Sequence, residues 1–262
     1  MLRIAHLSDI HFGGENAAAV EAATAWLALA TPDLTIITGD LTSFGQEREF
    51  QSAQAWVRRL RGPVVITPGN HDTPYLGLLE RLTAPFARFQ RRFGPADAVR
   101  WTEGGTKVAT INTARGAQWR WNWSKGAIAA AQADAALTAV GGTAEEGLAA
   151  VVCHHPLVEM VGGPMTGRVR GGERAARRFC DGGVDVVLSG HIHVPFVWPF
   201  PYGDGRCYAV GAGTLSVRER GAPASFNLIE VEAGSIAVTA QAWTGGRFEV
   251  WRTWSVPRRE RP

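Results

Sequence analysis

The strongest restriction on the fold of this chain is a series of short apolar segments, each ending in an aspartate, asparagine or histidine. The first three segments and the polar residues that follow them are 3–8 with Asp9, 34–38 with Asp40 and 63–67 with Asn70. Amphipathic helical segments separate them, one capped by Asn16 and running to about Ala30, the other at 46–61. This alternation predicts parallel strands joined by right-handed crossovers, as in an α/β fold.

The alternation continues through the middle of the chain and then stops. Predicted helices lie at 75–93, broken near Pro85, at 128–140 and at 172–180, and predicted strands lie at 107–112, 148–153 and 184–189. Strands with turns but no helix between them follow at 206–210, 225–231, 235–242 and 247–253. Such a run predicts an antiparallel meander. We predict one domain over residues 1–254, followed by a basic tail at 255–262 that is a frayed, solvated end.

Composition limits the classes of protein to which the chain can belong. Its 262 residues are 45% hydrophobic, which is enough for a full core, and its net charge of +3 is too small to indicate nucleic-acid binding. The three cysteines have no short spacing, which argues against a disulfide framework and fits a reducing compartment. We find no pattern of a signal peptide and no apolar run of about 18 residues. We therefore expect a cytoplasmic protein that does not bind a membrane.

Further residues suited to metal binding follow the predicted strands. They are His11, His71, His154, His191 and His193. Because open α/β sheets place their sites outside the carboxyl ends of the strands, we expect all of these side chains to converge at one end of one sheet. Gly39, Gly69 and Gly190 stand at three of these strand ends and would let the backbone turn sharply.

The residue types indicate a site for metal ions. Carboxylates and imidazoles are ordinary ligands of divalent first-row metals, and the two oxygens of Asp40 could bridge two ions. Each residue alone has a simpler explanation, since a lone histidine such as His6 is usually packed or on the surface, and Asp40 could cap a helix. The joint occurrence of these residues at successive strand ends favours the metal site.

Together the motifs resemble those of the calcineurin-like metallophosphoesterase superfamily. The matching residues are Asp9-x-His11, Gly39-Asp40, Gly69-Asn70-His71-Asp72, His154 and Gly190-His191-x-His193. The resemblance implies a four-layer αββα sandwich, an α/β fold with two central mixed sheets flanked by helices. It implies one metal ion held by Asp9, His11, Asp40 and His193, and a second held by Asp40, Asn70, His154 and His191. It also favours His154 over its neighbour His155 as the ligand.

Within the superfamily, the chain resembles bacterial diester-cleaving branches more than purple acid phosphatases. Purple acid phosphatases have a tyrosine three residues after the second aspartate, and Ser43 stands there in this chain. The segments at 39–42, 68–72, 154–156 and 190–193 are most similar to those of bacterial class III cyclic-nucleotide phosphodiesterases and glycerophosphodiesterases.

The resemblance leads to a hypothesis for the reaction. Two iron, manganese or zinc ions about 3.5–4 Å apart would share a hydroxide that attacks the phosphorus of a small or cyclic-nucleotide phosphodiester. His71, next to the ligand Asn70, would donate a proton to the leaving alkoxide, and Asp72 would either orient His71 or cap a turn. A phosphomonoesterase with the same metal centre is the main alternative, and a non-catalytic interaction module is a weaker one.

Loops around the predicted site offer candidates for contact with a small phosphate ester. Segment 113–125 contains Arg115, Trp119, Arg120, Trp121 and Trp123. These residues could stack a planar leaving group, but packing of the loop or a homodimer contact has more weight. His155 is a further candidate for contact with the substrate, and it could instead support the site or face outward. Residues 156–172 could form a mobile lid or a plain connection.

Overall fold

Two β-sheets lie at the centre of the fold. The computed structural model describes residues 1–119, 122–159 and 168–260. The strands are β1 (Leu2–Leu7), β2 (Leu34–Ile37), β3 (Val64–Ile66), β4 (Arg100–Glu103), β5 (Thr106–Thr110), β6 (Ala149–Val152), β7 (Val186–Ser189), β8 (Phe196–Pro199), β9 (Tyr208–Gly211), β10 (Ser225–Val231), β11 (Ser235–Trp243) and β12 (Phe248–Pro257). The helices are α1 (Ala17–Ala30), α2 (Glu47–Val57), α3 (Leu78–Thr83), α4 (Ala87–Phe93), α5 (Ala130–Val140) and α6 (Gly172–Asp181).

Both sheets mix parallel and antiparallel pairs. The first sheet has the order β12-β11-β10-β1-β2-β3, and the second has the order β4-β5-β6-β7-β9-β8. In the first sheet β1, β2 and β3 are parallel, and β10, β11 and β12 form an antiparallel meander beside β1. In the second sheet β5, β6, β7 and β9 are parallel, with β4 and β8 antiparallel at the edges.

Apolar cores separate the layers. One core lies between the two sheets and includes Ile4 and Ile36 from the first and Val152 and Leu188 from the second. Another packs the outer face of the first sheet on α1, α2 and α4, and a third packs the outer face of the second sheet on α5 and α6. The predicted α/β sandwich of two central mixed sheets flanked by helices is therefore confirmed. Among the described residues, no helix combines the length and the apolar character needed to cross a membrane.

Burial on both faces explains why the parallel strands are apolar throughout. In β6, Ala150 and Val152 belong to the core between the sheets, whereas Ala149 and Val151 belong to the core beneath α5 and α6. Parallel strands covered on both sides have no polar face. Polar side chains that do chemistry must therefore come from the loops just beyond the strand ends.

The predicted meander at the end of the chain is wrong in its first strand. β9, predicted at 206–210, lies in the second sheet, where it is parallel to β7 and antiparallel to β8. β4 and β8, which are both edge strands, were absent from the sequence predictions. β8 ends at Pro199, and an edge strand tolerates the missing N–H of a proline. Turn residues mark where a strand begins, but they do not say which sheet it joins.

The expectation of a frayed, solvated tail is also wrong for its first residues. β12 continues past the predicted boundary at 254 to Pro257. The Arg258 side chain is only 4% exposed and donates hydrogen bonds to the carbonyl oxygens of Glu145, Gly147 and Glu232. These carbonyls belong to turns at the amino ends of strands in both sheets. Buried carbonyl groups need hydrogen-bond donors, and the guanidinium supplies them.

Candidate metal centre

The predicted ligands lie in loops at the carboxyl ends of strands from both sheets. Asp9, Asp40 and Asn70 follow β1, β2 and β3 of the first sheet, whereas His154 and His191 follow β6 and β7 of the second. The expectation that they converge at one end of a single sheet is therefore wrong. The two packed sheets present their carboxyl ends on the same side, and the ligand loops meet above the core between them.

The backbone of these loops adopts an uncommon conformation. The site residues with positive φ angles are Asp9 (54°), His11 (54°), Asp40 (51°), His191 (70°) and His193 (62°). Residues other than glycine seldom adopt this left-handed conformation, because Cβ then approaches a carbonyl oxygen. Such strain persists only where surrounding contacts enforce it, and it clusters at functional sites. Here it lets residues two apart in sequence point toward the same centre.

Two glycines allow the ligand loops to approach one another. A Cβ at Gly190 would overlap the Ser8 hydroxyl and lie 2.5 Å from Oδ2 of Asp9. A Cβ at Gly69 would lie 2.5 Å from the backbone nitrogen of Asp40. Neither glycine has a positive φ. Their role is therefore close contact between loops, and not the sharp turn that the sequence suggested.

Asp9, His11 and His193 form one cluster of buried side chains. Oδ1 of Asp9 lies 3.0 Å from Nε2 of His193 and 3.6 Å from Nε2 of His11. The two Nε2 atoms are 3.4 Å apart. Ligand atoms held about 2.0–2.2 Å from one ion lie roughly 3–3.5 Å from each other, so this spacing fits a shared metal ion.

Asp40 and His154, with His191 next to them, form a second group beside the first cluster. Oδ2 of Asp40 lies 3.3 Å from Nε2 of His154, and that nitrogen lies 3.3 Å from Nδ1 of His191. The same Oδ2 of Asp40 lies 3.8 Å from Nε2 of His11. Asp40 therefore stands between the two groups, where a bridging carboxylate would have to be.

Backbone carbonyl groups fix the orientation of three of the imidazole rings. Nδ1 of His11 faces the Thr42 carbonyl at 3.2 Å, Nδ1 of His154 faces that of Thr38 at 2.6 Å, and Nδ1 of His193 faces that of Arg218 at 2.6 Å. A carbonyl oxygen can only accept, so each Nδ1 carries the proton. Each Nε2 then points into the site, as in histidines that bind metal ions.

Two buried oxygen atoms at the site have no hydrogen-bond partner in the described part of the chain. They are Oδ1 of Asp9 and Oδ1 of Asn70. An unpaired buried polar atom costs about 1–3 kcal/mol, so native proteins seldom keep one without a reason. Cations would satisfy these oxygens and could also bind the Nε2 atoms of His11 and His193, which face each other. The donor set therefore fits metal ions.

Electrostatics favour charged carboxylates at the site. Burial alone would raise the pKa values of Asp9 and Asp40, but nearby imidazoles hold both pKa values well below the usual range. Burial also opposes the charged form of His154, yet the Asp40 carboxylate outweighs it and raises the pKa of His154 to about 9. The carboxylates are therefore ready to bind cations without first losing a proton.

His71 lies beside the clusters with one ring nitrogen engaged by the backbone. Its backbone N–H donates to Oδ1 of Asp40 at 2.8 Å, and its Nδ1 faces the Ser43 carbonyl at 2.7 Å. Its Nε2 faces Nη1 of Arg218 at 3.3 Å. Burial lowers the pKa of His71, and the charge of Asp40 only partly offsets this effect.

Asp72 supports the loop backbone. Its carboxylate accepts hydrogen bonds from the N–H groups of Gly69 at 2.9 Å, Leu41 at 3.2 Å and Thr42 at 2.9 Å. Burial raises the pKa of Asp72 to about 6 in spite of these donors. Of the two roles considered for Asp72, these contacts agree with the one that caps backbone groups.

A cavity of about 610 Å³ opens beside Asn70 and His71. Its other lining residues are Tyr75, Leu78, Arg81, Asn122, Trp123 and Ser124. The Tyr75 ring stacks on the His71 ring with 5.7 Å between centroids. The Arg81 guanidinium lies 5.4 Å from the Tyr75 ring and 5.5 Å from the Trp123 ring. The cavity thus offers aromatic faces and a cation to a group bound next to His71.

Two of the predicted substrate-binding residues lie outside this cavity. Arg115 donates to Oε1 of Gln132 at 2.9 Å and to nearby backbone carbonyls, so its guanidinium is already engaged within the fold. Trp119 is fully exposed. Trp123, from the same aromatic segment, does line the cavity. Arg120, Trp121 and residues 160–167 of the predicted lid lie outside the described residues.

The third predicted substrate contact, His155, is buried and bonded on both ring nitrogens. Nδ1 lies 2.8 Å from the Thr113 hydroxyl, and Nε2 lies 2.8 Å from the Ser124 carbonyl. Its ring centroid is 4.5 Å from that of His191. These contacts place His155 behind a predicted ligand. They agree with a supporting role, which was one of the alternatives considered for it, and not with a side chain that faces outward.

Three residues near the site were absent from the sequence predictions: Tyr75, Arg81 and Arg218. Tyr75 and Arg81 follow the motif that contains Asn70 and His71 within one short segment, and this proximity could have pointed to them. Arg218 lies far in sequence from every motif. It reaches the site only because the loop after β9 folds back over the ligand loops.

A model of the calcineurin-like phosphoesterase family matches residues 2–195 of the chain. Two curated relatives share shorter segments with it. A glycerophosphodiester phosphodiesterase from Enterobacter lignolyticus is 31% identical over 80 residues, which cover 26% of this chain and 29% of that protein. A probable cyclic nucleotide phosphodiesterase from Synechococcus sp. is 33% identical over 91 residues, which cover 31% of this chain and 34% of that protein. The matches thus span about a third of each relative's length.

Solved structures share the fold over nearly the whole chain. Purple acid phosphatase PPD1 from yellow lupin seeds superposes with a TM-score of 0.68 at 11% identity, covering 98% of this chain and 54% of that chain. Vps29 from Chaetomium thermophilum superposes with a TM-score of 0.51 at 13% identity, covering 100% of both chains. Likenesses at such low identity establish the fold and carry no information about activity.

Proposed function

Because the chain belongs to the calcineurin-like phosphoesterase family, we propose that it is a phosphodiesterase that uses two metal ions. One observation carries this proposal. Buried carboxylate and imidazole groups from loops of both sheets face one another in adjoining clusters that meet at Asp40. The names of the two curated relatives, both phosphodiesterases, support a diester as the substrate.

The ligand sets that we propose are those implied by the family motifs. One ion would be held by Asp9, His11, Asp40 and His193, and the other by Asp40, Asn70, His154 and His191. Iron, manganese and zinc all suit this mixture of carboxylate, amide and imidazole donors. When bound, such ions activate water and draw negative charge from the phosphate oxygens.

His71 is the general acid in this proposal. Its Nδ1 donates to the Ser43 carbonyl, so the proton for the leaving oxygen has to come from Nε2 of the doubly protonated ring. Burial lowers the pKa of His71, which makes that proton easier to release but reduces the share of doubly protonated rings at neutral pH. The hydrogen bond from the His71 backbone to Asp40 ties the position of the acid to a ligand loop.

The cavity beside His71 suits the organic group that leaves with the ester oxygen. Its volume of about 610 Å³ lies within the range of about 300–1,000 Å³ that small-molecule sites occupy. Tyr75 and Trp123 offer faces to a planar group, as in a nucleotide. A monoester could place its alcohol here too, so the preference for a small or cyclic-nucleotide diester rests on the relatives.

Hydrolysis of bis(p-nitrophenyl) phosphate and of p-nitrophenyl phosphate, with manganese or iron supplied, tests the proposal. We expect hydrolysis that stops when a chelator removes the metal, with a higher kcat/KM for the diester. A higher kcat/KM for the monoester would identify a phosphomonoesterase instead. If the metal-loaded protein hydrolyses neither compound, the enzymatic proposal fails and a non-catalytic interaction module is favoured.

Replacement of His71 tests the acid role separately. We expect His71→Ala to lower kcat about a hundredfold or more on a diester with a poor leaving group, while the metal content stays unchanged. The loss should be smaller for bis(p-nitrophenyl) phosphate, because p-nitrophenolate leaves without a proton. Equal losses on both substrates, or no loss on the poor leaving group, would contradict this role.

A further inference from the structure

One arginine that the proposed chemistry does not use, Arg218, lies directly beside the general acid. Its Nη1 is 3.3 Å from Nε2 of His71, the atom that would deliver the proton to the leaving oxygen. A group in contact with this nitrogen is adjacent to the ester oxygen of a bound substrate. It is therefore also within reach of the other oxygens on the same phosphorus.

The charge of Arg218 lacks an acidic partner in the described part of the chain. The contact of its guanidinium there is with an imidazole, and no carboxylate lies within ion-pair distance. The nearby Asp9 and Asp40 carboxylates face histidines of the metal centre instead. A partly buried cation next to a site for two metal ions is repelled by them. An anion bound between these positive groups would change the repulsion into attraction.

The loop that carries Arg218 is fixed to the ligand loops. The Arg218 carbonyl accepts a hydrogen bond from Nδ1 of His193 at 2.6 Å. The Thr214 hydroxyl donates to the Asp9 carbonyl at 2.6 Å, and the Ser216 hydroxyl lies 2.7 Å from that of Thr214. Hydrogen bonds to two predicted ligand residues therefore hold the backbone of Arg218 at the site. Because this loop is already ordered, an anion that binds there loses little free energy to ordering it.

We propose that Arg218 binds the non-bridging oxygens of the substrate's phosphate group. This inference rests on the proposed phosphoesterase function. The planar guanidinium presents a fork of N–H donors that matches two phosphate oxygens, whereas the single ammonium of a lysine does not. On substrate binding, the guanidinium exchanges its contact with His71 for contacts with phosphate. Nε2 of His71 is then free to face the leaving oxygen.

Inorganic phosphate is a suitable probe, because its binding can be measured without turnover. Calorimetric titration of the manganese-loaded protein gives Kd for the wild type, Arg218→Ala, Arg218→Met and Arg218→Lys. Arg247→Ala is the control, since Arg247 is an exposed arginine paired with Glu249. We expect the Ala and Met variants to bind phosphate about ten- to a hundredfold more weakly. The Lys variant should lose less, and the control should not change.

The metal content of each variant separates a phosphate contact from a structural role. If Arg218→Ala binds phosphate within twofold of the wild type while it keeps its manganese, the proposal is overturned. If the Ala variant loses manganese, the test uses Arg218→Met, which keeps the apolar stem of the side chain. Phosphate binding by Arg218→Met within twofold of the wild type then overturns the proposal. Added guanidinium ion should restore part of the phosphate affinity of Arg218→Ala, which a purely structural role would not allow. If the wild type hydrolyses no ester, the phosphoesterase proposal fails, but the titration still decides the role of Arg218.

Discussion

At the scale of single residues, the hydrogen-bond partners distinguish two kinds of buried histidine. Nε2 of His6 lies 3.1 Å from Oγ1 of Thr38, and its Nδ1 lies 3.5 Å from the side-chain amide of Asn227, so both nitrogens face neutral partners. His154 instead bonds a carbonyl through Nδ1 and faces a carboxylate through Nε2. The first arrangement holds a neutral ring in place, whereas the second turns Nε2 toward the candidate metal centre, where a metal ion could replace its proton.

The buried position of His6 predicts a pH dependence of stability. Burial lowers the pKa of His6 from 6.5 to about 3, so between these values the unfolded chain binds a proton that the folded protein does not. Folding stability is therefore lost as the pH falls below 6.5, with a slope of up to about 1.4 kcal/mol per pH unit from this group. In urea unfolding of metal-free protein at pH 4.5–7, we expect His6→Asn to show a smaller slope than the wild type. Parallel curves for the two proteins would contradict the assignment.

The sequence could point to the candidate metal ligands because each follows a recognisable strand. Asp9, Asp40 and His154 come directly after apolar segments whose direction the pattern fixes. Arg218 could not be predicted in this way, because it reaches the site through a loop whose course depends on tertiary contacts. Arg81 follows no strand either and reaches the site from α3. Arg115 is the opposite case. Its position in segment 113–125 suggested contact with the substrate, but its guanidinium is hydrogen-bonded to Gln132.

At the scale of elements, the site is a set of loops packed against one another at strand ends. Gly190, at the end of β7, packs against Ser8 and Asp9 at the end of β1, so this glycine joins the two sheets at the candidate metal centre. The left-handed residues beside it depend on such contacts to hold their conformation.

Replacement of Gly190 by alanine should therefore disrupt the site. The added Cβ overlaps Ser8 and lies 2.5 Å from Oδ2 of Asp9, so we expect a loss of about 3 kcal/mol or more in the free energy of unfolding and a loss of metal binding. Gly234→Ala is the matched control, because a Cβ there meets nothing within 4 Å. Urea unfolding and metal analysis check both variants. Equal stability and metal content in the two would show that the loops are not closely packed.

Local signals predicted helices well and sheet membership less well. The side chain of Asn16 accepts a hydrogen bond from the N–H of Ala19, and α1 ends at Ala30 as predicted. β9 was placed in the wrong sheet, because its pairing with β7 depends on residues distant in sequence. The same limit explains why the ligands were expected on one sheet.

At the scale of the whole molecule, two sheets meet at both ends of their strands. The candidate metal centre joins their carboxyl ends, and Arg258 joins their amino ends through carbonyls of Glu145, Gly147 and Glu232. The positions of the ligands therefore depend on how the sheets pack.

Arg258 should stabilise this packing without affecting the metal centre. We expect Arg258→Ala to lower the free energy of unfolding by about 3 kcal/mol, since it leaves buried carbonyls without donors. The control Arg247→Ala, at an exposed ion pair, should change it by less than about 0.5 kcal/mol. Metal content should be unchanged in both variants. A solvated Arg258 would instead give the same small effect as the control.

The stoichiometry of metal binding tests most directly whether Asp40 joins two ion sites. Elemental analysis of protein loaded with manganese and freed of excess metal should give two ions per chain for the wild type. We predict that Asp40→Ala loses both ions, because its carboxylate lies between the two groups of ligands. Asp204→Ala, at an exposed ion pair, should keep both. Two ions retained by Asp40→Ala, or none bound by the wild type, would contradict this account.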